Sequence, residues 1–192
     1  MKLQEIPCNE IAKRVLEIAL VQEHSIRFVG THTARLLGDW ASGFGLKVQA
    51  IQPCSCGHLG DSIKVCLCSP AEIRRYYNKN YLGDFDLALE VPELSGEKVY
   101  KMFLGEIKSE PEEKVLERVK IAKKILGSID PKKLDENCKA LLRAIALKMH
   151  ATYYQLEIVL SVAKSICALA RDSVIKAPYL AEACQYLPKE RE

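Results

Sequence analysis

Four cysteines in two closely spaced pairs constrain this chain more than any other feature of its sequence. Cys54 and Cys56 form one Cys-x-Cys pair, and Cys66 and Cys68 form another after nine intervening residues. Four thiolates suit a tetrahedral Zn²⁺ ion, and alternate residues of an extended segment point to the same side. The pattern therefore predicts a structural zinc site at this junction. The alternative is four free thiols that pack as small apolar groups.

The composition is that of an ordinary globular protein from a reducing compartment. Of the 192 residues, 48% are hydrophobic and 28% are charged, and the net charge of +3 is too small to indicate nucleic-acid binding. The N-terminal sequence lacks the apolar core of a signal peptide, and no apolar run is long enough to span a membrane. We expect a cytoplasmic protein without membrane contact, whose eight cysteines form no disulfide framework.

Residues 1–53 have the pattern of a small α/β unit. Apolar spacing and turn residues predict two helices and two strands: helices over Asn9–Ala19, with Asn9 as the cap, and Thr33–Trp40, and strands over Ser25–Gly30 and Leu46–Ile51. A strand, a helix and a second strand in this order form a βαβ unit with parallel strands.

The turn after the first predicted strand is a candidate phosphate site. A helix N-terminus that follows a strand favours an anion, so Gly30, Thr31, His32 and Thr33 are candidate cofactor-binding residues. The alternative is an ordinary helix start, in which Thr31 or Thr33 is the cap.

The segment after the cysteines combines a capped helix with a strand. Ser69 and Glu72 form a capping box that predicts a helix from Pro70 to about Asn78. Arginine can contact phosphates and tyrosine can stack on bases, which makes four helix residues candidates for nucleic-acid binding: Arg74, Arg75, Tyr76 and Tyr77. The alternative is an amphipathic helix with Ile73 and one tyrosine buried. Alternating apolar residues predict a strand over Asp84–Pro92.

The remaining sequence predicts a bundle of helices. The expected elements are a helix that opens at a Ser109–Glu112 capping box and runs to about Leu126, and helices over Asp135–His150, Thr152–Asp172 and Ala177–Tyr186. The predicted fold class is α+β, mostly α. It comprises a small α/β unit (1–53), a segment with the cysteines, a short helix and a strand (54–95), and a helical domain (96–192).

Three stretches carry a family resemblance. PCSCGHLGD, CLCSPAEIRRY and DLALEVPELS resemble the magnesium-chelatase-like AAA+ ATPases, and most closely their bacterial competence-protein branch (ComM type), which is similar to DNA branch-migration helicases. The resemblance implies that residues 1–53 are a shortened P-loop nucleotide fold. It also implies that residues 96–192, which end in the matching LAEACQYL, are the helical lid domain of the family.

The same resemblance implies that the ATPase chemistry is missing. By position, Leu36 and Leu37 replace the P-loop lysine and its neighbouring serine or threonine, and no acidic metal-binding pair lies between Gly30 and Cys54. Asp84 stands where the family has an arginine that acts on a neighbouring subunit, and Ile158 where it has a nucleotide-sensing arginine. Each of these groups stabilises charge on a triphosphate, so neither ATP hydrolysis nor an ATP cofactor is expected.

These observations predict a degenerate, non-hydrolysing family member that acts as an interaction or regulatory subunit. Its partner would be another protein or a second copy, with DNA as a further candidate and structural zinc as the cofactor. Two alternatives remain open. One is a nucleotide-responsive subunit that borrows catalytic groups from a partner, and the other is a zinc-stabilised DNA-binding module.

Overall fold

A computed structural model describes residues 1–6, 10–61, 64–81 and 84–188 of the chain. The predicted cap Asn9 lies outside these residues. Within them the chain forms strands β1 (Ile26–Val29), β2 (Val48–Ile51) and β3 (Leu87–Glu90), and helices α1 (Glu10–Gln22), α2 (His32–Ser42), α3 (Pro70–Asn80), α4 (Gly96–Phe103), α5 (Glu112–Ile125), α6 (Glu136–Lys148), α7 (Tyr153–Leu169) and α8 (Ala177–Gln185). Short 3-10 turns cover Leu3–Glu5 and Leu126–Ser128.

The three strands form one parallel sheet in the order β2-β1-β3. Phe28 in the central strand aligns with Ala50 in β2 and with Leu89 in β3. All four residues of β1 are buried, as expected for the central strand of a parallel sheet that is covered on both faces. The parallel pairing of β1 and β2 confirms the predicted βαβ unit. The carboxyl ends of all three strands meet at one edge of the sheet.

The outer edge of β3 is covered by the C-terminal segment. The backbone N–H of Ala88 donates a hydrogen bond of 2.8 Å to the carbonyl of Tyr186. An edge strand that lacks such cover presents unpaired backbone groups, so this contact satisfies part of the edge within the chain itself.

Helices α1 and α2 pack against the sheet, and the other packed helices extend the same core. Helix α1 packs against α5 and α7, and α8 packs against α7. The buried apolar cluster includes Leu16, Leu87 and Val162, one from each of the three predicted segments. The structure is thus mostly helical, with one small parallel sheet, and the three predicted segments contribute to a single core. The division into three domains stays a prediction.

The structure differs from the sequence-based expectation at two places. Helix α4 was not predicted, although Val99, Tyr100 and Phe103 recur at helical spacing after the cap Ser95. The prediction of a capping box at Ser109–Glu112 is wrong. Helix α5 begins at Glu112, its N-cap residue is Pro111, and no side chain caps the helix start. The Glu112 carboxylate instead accepts hydrogen bonds from the Trp40 indole (2.6 Å) and from the backbone N–H of Leu3 (2.7 Å).

In the described part of the chain, none of the helices has the length and apolar character needed to span a bilayer.

Candidate metal centre and adjacent pocket

The four cysteines of the two Cys-x-Cys pairs come together in the folded chain. Their Sγ atoms all lie within 4.8 Å of one another. The Cys54 sulfur is 3.4 Å from that of Cys56 and 3.7 Å from that of Cys66, and the Cys56 and Cys66 sulfurs are 3.6 Å apart. Cys68 completes the group and lies 3.2 Å from the Ser55 hydroxyl.

These distances fit a tetrahedral metal site. With Zn–S bonds of about 2.3 Å, the sulfurs at the corners of a tetrahedron are about 3.8 Å apart. The three short separations in the cluster, 3.4–3.7 Å, are close to that value. A sulfur-only donor set of this size could therefore hold a soft or borderline metal ion such as zinc.

The electrostatics of the cluster favour a charged sulfur at one position. A hydrogen bond from the backbone N–H of His58, together with those from the neighbouring thiols, lowers the pKa of Cys56 to about 6. At Cys66 the backbone N–H of Cys68 acts in the same direction, but burial and the neighbouring sulfurs outweigh it and raise the pKa to about 12. A bound cation would favour the thiolate form of all four sulfurs.

Two local structures position the ligand pairs. After β2 the chain turns tightly, with the N–H of Gly57 bonded to the carbonyl of Cys54 (3.1 Å) and Gly57 at φ 79°. After the second pair, α3 begins at the predicted capping box, in which Ser69 and Glu72 exchange hydrogen bonds of 2.8 Å and 3.3 Å. The metal site would therefore connect the end of a sheet strand to the start of a helix.

The candidate phosphate site is occupied by one of the protein's own carboxylates. Glu93, which follows β3, accepts hydrogen bonds at Oε1 from the Thr31 hydroxyl (2.6 Å) and the Thr33 N–H (2.9 Å), and at Oε2 from the Thr33 hydroxyl (2.5 Å). Burial alone would raise the pKa of Glu93, but these bonds and the nearby His32 lower it. The start of α2 is therefore capped by Glu93, and Thr31, the N-cap residue, makes no side-chain cap.

Gly30 has a packing role at the same turn. Its N–H donates a 2.8 Å hydrogen bond to the carbonyl of Ile51, so this donor is already used within the sheet. A Cβ atom at position 30 would lie 2.5 Å from the carbonyl oxygen of Val91. The glycine allows β1, α2 and the end of β3 to approach one another.

A pocket of about 500 Å³ lies between the cysteine loop, the β1–α2 turn and the segment after β3. It is at the carboxyl end of the parallel strands, where ligands usually bind in sheets of this kind. Among the described residues that line it, the charged ones are Asp61, Glu90 and Glu93, and all are acidic. Such a lining opposes a polyanion such as a triphosphate.

The four candidate nucleic-acid residues do not share one surface. Arg74 and Arg75 are exposed and line a shallow hollow on α3. The half-buried Tyr77 stacks on Tyr81, with ring centroids 3.2 Å apart. Burial and the Cys54 sulfur raise the pKa of Tyr76, which lies close to the metal-site cysteines. The two arginines face solvent, and the tyrosines contact other parts of the protein. Nucleic-acid binding stays a prediction.

The residues at the positions where the resemblance predicts ATPase groups have structural surroundings of their own. Leu37 is fully buried and Leu36 packs against the core. Ile158 is buried as well. Asp84 is exposed, and its carbonyl accepts a hydrogen bond of 3.1 Å from Lys47. None of these side chains supplies a cation to the pocket at the sheet edge.

Glu93 was not singled out from the sequence. It lies three residues beyond the end of β3, within the stretch DLALEVPELS. One signal could have pointed to it: the carboxyl ends of parallel strands meet at one edge, so a residue just after β3 must lie close to the turn after β1. A carboxylate there is a natural partner for the N-terminus of α2.

Comparisons with known proteins bear on the central part of the chain. Residues 39–99 match the family model described as "Magnesium chelatase, subunit ChlI". The match contains the four cysteines, α3 and β3, covers less than half of the chain, and excludes the Gly30–Thr33 turn. A search of curated proteins finds no match. This match shows that the centre of the chain is similar to the magnesium-chelatase-like family, which suggests an AAA+-related protein.

Proposed function

We propose that this chain is a non-hydrolysing member of the magnesium-chelatase-like family, of the competence-protein branch, that acts as an interaction or regulatory subunit in DNA processing. The observation that carries the proposal is the position of Glu93. A carboxylate that accepts three hydrogen bonds at the start of α2 occupies the place where a phosphate group would have to bind.

Electrostatics argue further against a bound triphosphate. Two like charges about 4 Å apart repel by roughly 1 kcal/mol in water and about 4 kcal/mol near a protein surface. The pocket has three acidic residues in its described lining, Asp61, Glu90 and Glu93. P-loop proteins offset such repulsion with a lysine and a metal ion, whereas the family resemblance assigns the position of that lysine to Leu36, which is half-buried.

In this proposal zinc has a structural role. The cysteine cluster lies between the end of β2 and the start of α3, and Gly57 of its loop approaches the Thr31 side chain. A metal at the four sulfurs would therefore fix the loop that forms one wall of the pocket. It would stabilise the fold and take no part in a reaction.

Calorimetric titration of the zinc-loaded protein with Mg²⁺ and ATP tests the proposal directly. The expected result is no saturable heat and no change in melting temperature. Saturable binding with a dissociation constant below about 100 μM would contradict it, because such an affinity requires a specific nucleotide site. In a second titration with Glu93→Gln, affinity should stay weak, since the pocket still lacks a lysine.

The nucleotide-responsive alternative requires Glu93 to leave the start of α2. Nucleotide would then bind at Gly30, Thr31, His32 and Thr33, and Thr33→Glu should abolish any nucleotide-dependent assembly. If assembly responds to nucleotide in the wild type and not in this variant, the alternative replaces the main proposal.

The DNA-binding alternative has one observation in its favour. Arg74 and Arg75 are adjacent, exposed, and line a hollow on α3. A gel shift with double-stranded and single-stranded DNA should show weaker binding for the Arg74→Ala/Arg75→Ala variant. The matched control removes two other exposed cations, Lys132 and Lys133. Equal DNA affinity in both double variants would remove the support for a site on α3.

A further inference from the structure

An arginine lies in the central strand of the sheet. Arg27 belongs to β1, whose four residues are all buried, and only 6% of Arg27 is exposed. Central strands of parallel sheets are normally continuous apolar runs, because both of their faces are covered. A buried charge costs free energy unless other groups compensate it. The position of Arg27 is therefore not explained by packing alone.

The neighbouring strands hold the guanidinium of Arg27 on one side and leave room on the other. In the register of the sheet, Arg27 is aligned with Gln49 of β2 and with Ala88 of β3. The Arg27 Nε–H donates a hydrogen bond of 2.6 Å to Gln49 Oε1, and the Gln49 amide donates one of 3.0 Å to the Asn80 carbonyl. Ala88 has only a methyl group, so the side of Arg27 that faces β3 has room for a ligand.

Aromatic rings lie next to the same guanidinium. The Arg27 Cζ atom lies over the rings of Tyr81 and Phe85, 4.7 Å and 4.6 Å from their centroids. Tyr81 also stacks on Tyr77, with the two ring planes 22° apart. Cation–π contacts stabilise a desolvated arginine, and they are compatible with N–H bonds to a carboxylate in the guanidinium plane. The amide of Gln49 and these rings therefore fix the orientation of Arg27.

A cleft on one face of the sheet contains Arg27. Helix α2 packs on the other face, where Gly38 lies against the side chains of Val48 and Ala50. Side chains alternate along a strand, so Gln49 and the aligned Arg27 point away from α2. There, the end of α3 and the segment after α8 enclose a cleft of about 280 Å³, which we call the sheet-face cleft. A second cavity of about 380 Å³ adjoins it and also contains Arg27.

The lining of the sheet-face cleft suits a small anion with an apolar, planar body. Among the described residues that line it, the charged ones are Arg27 and the exposed Glu90, so the cleft can balance a single negative charge but opposes a polyanion. Leu187 and the rings of Tyr77 and Tyr81 supply apolar surface. A guanidinium binds a carboxylate through two parallel N–H bonds, and flat rings stack on tyrosine. Burial lowers the pKa of Arg27, and a carboxylate bound beside it would have the opposite effect.

We propose that the sheet-face cleft binds a small planar aromatic monocarboxylate. Its carboxylate accepts two parallel hydrogen bonds from the Arg27 guanidinium, and its ring packs on the pair formed by Tyr77 and Tyr81. The site is separate from the acidic pocket at the end of the strands, because these three residues do not line that pocket. A ligand in the cleft is compatible with either outcome of the Mg²⁺–ATP titration, so the site goes beyond the proposed interaction role.

An NMR titration of the zinc-loaded protein with 2-naphthoate tests the proposal. The methyl groups of Val29, Leu89 and Leu187 line the cleft. Their signals should shift and saturate with a dissociation constant of about 1 mM or below, the affinity that ordinary ligand efficiencies give a molecule of this size. 2-Naphthamide has the same shape without the charge, and decahydro-2-naphthoate has the charge without the flat ring. Each should bind at least about fivefold more weakly than 2-naphthoate.

Two variants test the residues that the ligand contacts. Arg27→Lys keeps the positive charge but loses the planar fork, and it should weaken 2-naphthoate binding by about tenfold or more. Tyr77→Leu removes a half-buried ring and should weaken binding by about threefold or more. The matched controls, Arg143→Lys on α6 and Tyr100→Leu on α4, change exposed residues outside the cleft and should leave the affinity unchanged.

Melting temperatures show whether each variant is folded, and if Arg27→Lys does not fold, Tyr77→Leu decides by the same criterion. Failure of the Val29 and Leu187 signals to saturate up to about 10 mM 2-naphthoate would overturn the proposal. So would equal affinity for 2-naphthamide, because the charge would then make no contribution. Wild-type affinity in the folded site variants would place the ligand elsewhere and would also overturn it.

Discussion

The substitution Gly30→Ala separates two interpretations of the turn after β1. If Gly30 is a relic of a phosphate loop, adding a methyl group should affect ligand binding and leave the fold intact. The structure predicts a stability loss instead, because the new Cβ would lie 2.5 Å from the carbonyl oxygen of Val91 and 3.0 Å from the Cβ of Ala34. Gly30 does not have a left-handed backbone conformation, so the cost is steric.

The size of the effect follows from that contact. Ordinary contacts of a Cβ atom begin near 3.4 Å, so the Val91 carbonyl or the β1–α2 turn must move by almost 1 Å. That movement would strain the hydrogen bond of 2.8 Å between the Val91 N–H and the Val29 carbonyl. Overpacking of this kind costs about 1–3 kcal/mol, or roughly 2–10 °C in melting temperature for a chain of this size.

Urea denaturation followed by the fluorescence of Trp40 measures this loss. Trp40 is the single tryptophan of the chain, is buried in α2 and packs against Phe44 with the two rings tilted by 45°, so it reports on the element next to Gly30. Gly96→Ala is the matched control, because nothing lies within 4 Å of the added methyl group and Gly96 is helical. It should be neutral or stabilising by up to about 1 kcal/mol. A Gly30→Ala variant within about 0.5 kcal/mol of wild type would refute the reasoning.

Three further predictions concern the candidate metal centre, the buried histidine His24 and the buried carboxylate of Glu17. A zinc chelator should lower the melting temperature of the zinc-loaded protein, and Cys56→Ser should remove most of that difference, because a metal bound only to the folded state stabilises it. Burial lowers the pKa of His24 below its ordinary 6.5. The free energy of unfolding should therefore decrease as pH falls below about 6.5, by at most ~1.4 kcal/mol per pH unit. Urea denaturation at several pH values measures this decrease. Glu17→Ala should lower the free energy of unfolding by about 2 kcal/mol in the same assay, because the buried Glu17 carboxylate pairs with Arg118. This value is smaller than the usual cost of breaking a buried pair because Arg118 is partly exposed.

Each of these predictions has a control. For the metal, Cys184→Ser changes a cysteine outside the cluster and should leave the response to chelator intact. For pH, His24→Asn should flatten the dependence between pH 5 and 6.5, and an unchanged slope would assign it to other groups. For the buried pair, Glu113→Ala breaks an exposed pair with Lys2, and an equal loss there would contradict the role of burial.

Several parts of the fold could be predicted because their signals are local. The capping box at Ser69 formed as expected, and the helices predicted from Asp135 and Thr152 start at these two residues, which serve as N-caps; each cap bonds within three residues along the chain. The cysteine cluster also follows from short spacing, with a loop of nine residues that lets the two pairs meet. Periodicity placed the strands and most helices to within a few residues.

Other features depend on contacts between distant residues. Glu93 accepts a hydrogen bond at the start of α2 from Thr33, 60 residues away along the chain. Glu112 does not form the predicted capping box and accepts a hydrogen bond from Trp40, 72 residues away. A carboxylate can satisfy either a local or a distant donor, and only the packing of the elements decides which donor it meets.

The sequence by itself determined the four-thiol donor set and the parallel βαβ unit, because the signals for both come from residues that are close together along the chain. Only the tertiary structure decided that the sheet edge is acidic, that Glu93 fills the anion position, and that the apolar side of α4 faces solvent. The physical reason is that hydrogen-bond partners and buried surfaces depend on which elements pack together, and local sequence patterns do not specify the contacts between distant elements.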